Sequence, residues 1–204
     1  MDTFALPDDN PNVASPTPSV ESVNSVIADA AEHGKEIAKM DVGGAFLNAK
    51  AGDLNKYLEI DKSIVEILLR LKPERSKYVA SNGRMYARKL KALYGSTDAA
   101  ILWYKELAAT FNGLGFVANP YDPCVFNLLN KKTGKFIVTV AVHVDDLLVT
   151  ADDGKLIDWL HKKLVEKYKE VTYERVDRIM YLGININRVD KHNIELDCCD
   201  TLLK

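Results

Sequence analysis

The 204-residue chain is poor in the features that would place it in several large classes of protein. It has three cysteines, Cys124, Cys198 and Cys199, and no C-x-x-C, so neither a disulfide framework nor a thiolate zinc site organises it. No apolar run approaches the ~18–20 residues that span a bilayer. The N-terminus has neither the basic start nor the apolar stretch of a signal peptide, so an intracellular, non-secreted, non-membrane protein is expected. Net charge is only -2, from 27 basic and 29 acidic residues, which excludes a strongly basic nucleic-acid coat and an acidic disordered tail. What remains is ordinary globular composition, 47% hydrophobic and 27% charged, enough for one domain with a real core.

The near-neutral total conceals a segregation. Residues 1–40 carry seven acids and two bases, whereas residues 62–97 carry nine bases (Lys62, Arg70, Lys72, Arg75, Lys77, Arg84, Arg88, Lys89, Lys91) and two acids. The basic stretch is the electrostatic candidate for a phosphate-rich partner, with a solvated helix-and-loop face as the plainer alternative. Residues 1–18 hold four prolines among polar residues and read as a flexible lead-in. From Ser19 onward the pattern predicts a helix ending at Gly34, a strand over Glu36–Val42, a helix capped by Ser63, a strand over Arg84–Leu90 and a helix capped by Asp98. It then predicts a hairpin from Cys124–Leu129 and Phe136–His143, a further strand over Leu147–Thr150, a helix from Asp153 to Tyr168, and two closing strands near Tyr181–Arg188 and Asn193–Asp197. That order suits an α+β fold, an antiparallel sheet covered by helices on one face.

Three acids stand out by context. Asp41 ends an apolar strand, and Asp145-Asp146 interrupts another. Carboxylates set in strands this apolar cost free energy unless something compensates, and a divalent cation with its preference for oxygen ligands does so. Three converging carboxylates can hold two ions ~3.5–4 Å apart for in-line phosphoryl displacement. A plain acidic turn is the alternative. A phospho-receiver domain also has an acid pair after an apolar strand, but it needs a parallel doubly wound sheet, which this order of elements does not give.

The flanking residues narrow the choice. Lys39-Met40-Asp41-Val42-Gly43-Gly44-Ala45-Phe46-Leu47-Asn48 resembles the D-V-x-x-A-F-L-N segment of copia-type retrotransposon reverse transcriptases, and His143-Val144-Asp145-Asp146-Leu147-Leu148 resembles their V-D-D box. Leu90-Lys91-Ala92-Leu93-Tyr94-Gly95 with Leu102-Trp103-Tyr104 is similar to their L-K-x-x-L-Y-G and W-Y elements; Gly115-Phe116, Tyr121-Asp122 and Cys124-Val125 are similar to their G-F, D and C-V run. Tyr181-Leu182-Gly183-Ile184 resembles the primer-grip segment. The boxes come in the family's order over roughly residues 12–190. His143 stands where the family more often has Tyr, and Ser96-Thr97-Asp98 replaces its usual L-K-Q.

The resemblance implies a reverse-transcriptase palm with part of the fingers over residues 19–204, cut from a longer polyprotein or left by a decayed element. It implies RNA-directed DNA polymerase activity, with Asp41, Asp145 and Asp146 as catalytic metal ligands for two Mg²⁺ (or Mn²⁺) ions. Val42, Gly43, Gly44, Ala45 and Phe46 would meet the incoming nucleotide, Phe46 as the ring that excludes a ribose 2′-hydroxyl; plain core packing is the alternative for Phe46. Tyr181, Leu182 and Gly183 would form the primer grip. Implied partners are an RNA or DNA template–primer, deoxynucleoside triphosphates and, in the intact element, integrase and RNase H; the implied location is the cytoplasm or a virus-like particle. The competing expectation is a degenerate palm that folds and binds nucleic acid without catalysis.

Overall fold

The computed structural model describes residues 15–51 and 57–198. Most of the proline-bearing lead-in, and Cys199, lie outside the described residues. Helix α1 (Val20–His33) begins at Ser19, whose Oγ accepts from the Ser22 amide at 3.0 Å, and ends at Gly34 in the left-handed conformation (φ 61°). Strand β1 (Glu36–Val42) leads to the single turn α2 (Ala45–Asn48). Then follow β2 (Tyr57–Ile60), α3 (Lys62–Leu71), a 3₁₀ turn over Pro73–Tyr78 and β3 (Met85–Arg88). Helix α4 (Ala99–Gly113) precedes β4 (Phe116–Ala118), β5 (Val125–Leu129), β6 (Phe136–His143) and β7 (Asp146–Ala151). Helix α5 (Gly154–Tyr168), β8 (Val171–Glu174), β9 (Arg178–Tyr181), β10 (Ile184–Arg188) and β11 (Ile194–Asp197) complete the order.

The central sheet runs β4-β5-β6-β7-β1-β8, antiparallel at every pairing, so the two strands that carry the acids, β1 and β7, are neighbours. Side chains alternate between its faces. Ala38, Met40 and Val42 point to the face covered by α4 and α5, in a core that includes Trp103, Leu107, Phe111, Leu160 and Leu164. Ile37, and hence Lys39 and Asp41, point the other way.

The expected antiparallel α+β architecture stands, but its covering differs from the expectation of helices on one face. Helix α1 lies on the second face, where Val23, Val26, Ile27 and Ala30 meet Ile37, Ala141 and Leu148 together with Ile179, Tyr181 and Ile186 of the β9-β10-β11 sheet. The reason is in β6 and β7: Val138–Val142 and Leu147–Ala151 are buried at every position, so neither face can be left to water.

Smaller differences have local causes. The closing strand expected near Tyr181–Arg188 breaks into β9 and β10 at Leu182-Gly183, both at positive φ (50° and 78°), which is the backbone of a tight two-residue hairpin. Strands β4 and β8 are three and four residues long, too short for a periodic signal. Helix α3 is preceded by Asp61, not by Ser63. Asp98 precedes α4 but does not cap it with its side chain; its Oδ1 accepts from the Lys89 ammonium at 2.9 Å, a stronger partner than a backbone N–H.

The Lys89–Asp98 pair is buried, with Ser96 Oγ accepting from the same ammonium at 3.0 Å. Removing one partner leaves an uncompensated charge. Asp98→Ala is expected to lose about 3 kcal/mol in urea unfolding, and Lys89→Met/Asp98→Leu to recover most of it. Equal losses in the single and double variants would show that an uncompensated buried charge is not the cause of the loss.

Candidate active site

Antiparallel pairing of β1 with β7 sets Asp41 directly opposite Asp146. Opposed residues lie about 4.5–5.5 Å apart at Cα and share a face, so both carboxylates stand on the α1 side of the sheet. The β6–β7 connection is a two-residue turn, Val144-Asp145, which places the third acid at the tip.

That turn is strained and held. Val144 has φ 56°, unusual for a β-branched residue and of order 1–3 kcal/mol in cost. Its carbonyl accepts from Trp103 Nε1 at 2.7 Å, and the Asp145 carbonyl accepts from the Val42 amide at 3.1 Å. Trp103 is 1% exposed and meets the Tyr168 ring edge-on at 5.1 Å. The Tyr168 hydroxyl lies 2.5 Å from Thr110 Oγ1, and burial pushes its phenol up to about 12. The turn therefore rests on two helices as well as on its own strands. His143 is half-buried opposite Asp146, and its Nδ1 has no partner among the described residues.

The charges interact. The Asp41 carboxyl is held above its ordinary value, first by burial and then by repulsion from Asp145 and Asp146, with Lys39 opposing. Lys39 Nζ lies 3.1 Å from Asp146 Oδ1. Carboxylate oxygens are the donors that hard divalent cations take. In their present rotamers these three carboxylates do not form a ligand group: among the described residues no set of three or more His, Cys, Asp or Glu side chains is placed to hold a metal ion. The backbone brings the three acids to one end of the sheet, and the Lys39 ammonium occupies one oxygen of Asp146.

The residues after β1 divide by environment. Val42 and Ala45 are buried in the α4–α5 core. The Gly43 amide donates to the Glu170 carbonyl at 2.9 Å, and a Cβ at Gly43 would stand 2.9 Å from Glu170 Cβ, so the close approach of β8 requires this glycine. Gly44 is exposed and left-handed (φ 59°). Phe46 is half-buried, its ring 4.6 Å from that of Tyr94 at 52°. In the β9–β10 hairpin, Tyr181 is buried and its hydroxyl donates to the Ala141 carbonyl at 3.1 Å, whereas Leu182 is 39% exposed at the turn with Gly183. Burial, and secondarily Asp146, raise the Tyr181 phenol, so this hairpin stands on the carboxylate side of the sheet. Two contributors were not singled out as site residues from sequence: Trp103, 41 residues from its partner Val144, and Lys39. The hydrophobic pattern marks Trp103 only as core; Lys39 was legible as a base two residues before Asp41, on the same strand face.

The family model described as reverse transcriptase (RNA-dependent DNA polymerase) matches residues 5–200. The chain belongs to this family. Among curated relatives, the retrovirus-related Pol polyprotein from transposon RE1 of Arabidopsis thaliana is 29% identical over 175 residues, 86% of this chain and 11% of that protein. The corresponding polyprotein from transposon TNT 1-94 of Nicotiana tabacum is 25% identical over 156 residues, 76% of this chain and 10% of that protein. This reverse transcriptase domain thus spans about a tenth of the length of those polyproteins, and the resemblance to a retrotransposon reverse transcriptase read from the motifs agrees with their names. A solved telomerase from Candida albicans, in complex with a fragment of telomeric RNA, aligns with 90% of the chain and 34% of its own at 14% identity and a TM-score of 0.46. Among the described residues no helix is long and apolar enough to cross a membrane.

A raised carboxyl pKa means that folding favours the protonated acid. Asp41 therefore contributes stability below its ordinary value of 3.8, and that contribution is lost as pH rises through the folded value. In metal-free buffer at pH 7, Asp41→Asn is expected to raise Tm slightly, of order 1 °C given the partial exposure of the group, with the gain shrinking below pH 4. A fall in Tm at pH 7 would show that the Asp41 carboxylate is stabilising rather than repelled.

Proposed function

We propose that this reverse transcriptase domain is the nucleotidyl-transfer palm of a copia-type retrotransposon polyprotein, extending a primer on an RNA or DNA template. The observation that carries the proposal is the Asp41–Asp146 pairing with Asp145 at the adjoining turn. Asp41, Asp145 and Asp146 would hold two Mg²⁺ or Mn²⁺ ions. Such ions, when bound, supply activation of a 3′-hydroxyl and stabilisation of charge on the transferring phosphoryl group and leaving pyrophosphate.

The chain's own residues position the rest. Trp103 and Val42 hold the turn carbonyls, so the carboxylate of Asp145 is presented from a fixed backbone. Gly44, exposed and without a side chain, leaves backbone open beside Asp41 for a triphosphate. The half-buried ring of Phe46 braces on Tyr94 next to that opening, in place to select against a 2′-hydroxyl. The Leu182-Gly183 turn would support the primer strand through its backbone, while Tyr181 anchors the hairpin from inside. Arg70, Lys72, Arg75 and Lys77, exposed on α3 and the following turn, form the basic surface for nucleic-acid phosphates. Deoxynucleoside triphosphates and a template–primer are what this function requires, and integrase and RNase H would accompany it in the whole polyprotein.

A second reading, a palm that folds and binds nucleic acid without catalysis, is favoured by one observation: Asp146 is already paired with Lys39, and the carboxylates are not gathered. Thermal melts separate the two. The active-palm reading expects millimolar Mg²⁺ or Mn²⁺ to raise Tm of the native chain by several degrees and to leave Asp145→Asn/Asp146→Asn unmoved, since a ligand stabilises the state that binds it. Equal shifts in the two proteins would mean that these acids hold no metal.

A further inference from the structure

Lys39 occupies a particular place relative to the carboxylates. It lies two residues before Asp41 on β1, hence on the same face, and diagonal to Asp146 on β7. A long side chain reaches across such a diagonal, and the ammonium does so, at 3.1 Å from Asp146 Oδ1. The Lys39 side chain is only 25% exposed and that of Asp146 27% exposed, so the contact is less screened than an open surface pair. On its other flank, Lys39 is opposed across β1–β8 by Glu174, an exposed acid with which it shares a face. The ammonium therefore has two carboxylates within the span of its stem, and it rests on the one that belongs to the acidic triad.

A cation tethered at a carboxylate opposes a second cation there in two ways. It takes an oxygen that the ion would use, and it repels the ion through space. We propose that Lys39 is a built-in counter-cation that competes with divalent metal for Asp146 and sets the metal affinity of the site, with Glu174 receiving the ammonium when metal displaces it. This rests on the assignment of Asp41, Asp145 and Asp146 as metal ligands and adds a regulator to it. Lys39 is an affinity-setting residue that acts through its contact with Asp146.

The test is Mn²⁺ binding to the full chain, read by electron paramagnetic resonance of free Mn²⁺, without template or nucleotide. Four proteins are compared: native, Lys39→Gln, Lys39→Arg and Asp145→Asn/Asp146→Asn. Far-ultraviolet circular dichroism and urea melts verify that each folds; Lys39→Met serves if Lys39→Gln does not. The expected result is binding at least about five-fold tighter in Lys39→Gln than in native, about 1 kcal/mol at 1.4 kcal/mol per decade. Lys39→Arg, which keeps the charge, stays within about two-fold of native, and the double Asn variant loses the site. Binding in Lys39→Gln equal to or weaker than native, with the double Asn variant still silent, overturns the role of Lys39 and leaves the carboxylate assignment standing. Undiminished binding in the double Asn variant overturns that assignment and the Lys39 proposal with it.

Discussion

Everything at the candidate site depends on one register, the antiparallel pairing of β1 with β7 that sets Asp41 against Asp146. A slip of one residue would turn Asp41 into the α4–α5 core and bring Met40 out beside the acids. The register is protected because the two faces of β1 are unlike: Ala38, Met40 and Val42 fill the α4–α5 core, while Ile37 enters the second core and Lys39 and Asp41 share its side, so a slip would bury charge. Two cores thus serve one alignment, and α1 with the β9-β10-β11 sheet matters to the site mainly by sealing the second face.

The same logic reaches the turn. Val144 sits in a backbone conformation that its branched side chain disfavours, and the surrounding structure outweighs that preference through Trp103, Val42 and the burial of the Val144 side chain against the core. The hydrogen bonds that hold this conformation fix the backbone of Asp145. What the fold leaves soft is the side-chain arrangement: repulsion among three carboxylates and the attraction of Lys39 for Asp146 oppose each other within one small region. A site poised in this manner responds to added positive charge.

Much of this was legible in the sequence, and the limits have physical causes. Helix α1, with its serine cap and glycine stop, strands β1, β5 and β6, and helix α5 behind Asp153 follow from periodicity and end signals within a few residues. The acids at a strand end and at a hairpin tip were legible because charge inside an apolar strand has few uses. Their neighbourhood was not legible from periodicity: the pairing of β1 with β7 spans about a hundred residues, and only the motif resemblance linked them. The double covering of the sheet, the Asp98–Lys89 pair in place of a helix cap, and the split at Leu182-Gly183 are outcomes of tertiary packing that local propensity does not encode. Gly43 shows a subtler case, where a small residue expected to admit a ligand is also required by the approach of Glu170.

In the proposed function, Asp41, Asp145 and Asp146 form one divalent-cation site at the end of the β1–β7 ladder. The most direct measurement is the amide nuclear magnetic resonance spectrum of the ¹⁵N-labelled chain during titration with substoichiometric Mn²⁺, which broadens signals near the bound ion. The amides of residues 41–44 and 144–147 should broaden first, followed by those of Tyr181 and Leu182, with the Gly154 end of α5 and the Asn130–Gly134 turn at the far end of β6 unaffected at the same ratio. Broadening centred on another acidic surface, such as Glu21 and Asp29 of α1, with residues 41–44 and 144–147 left sharp, would contradict it.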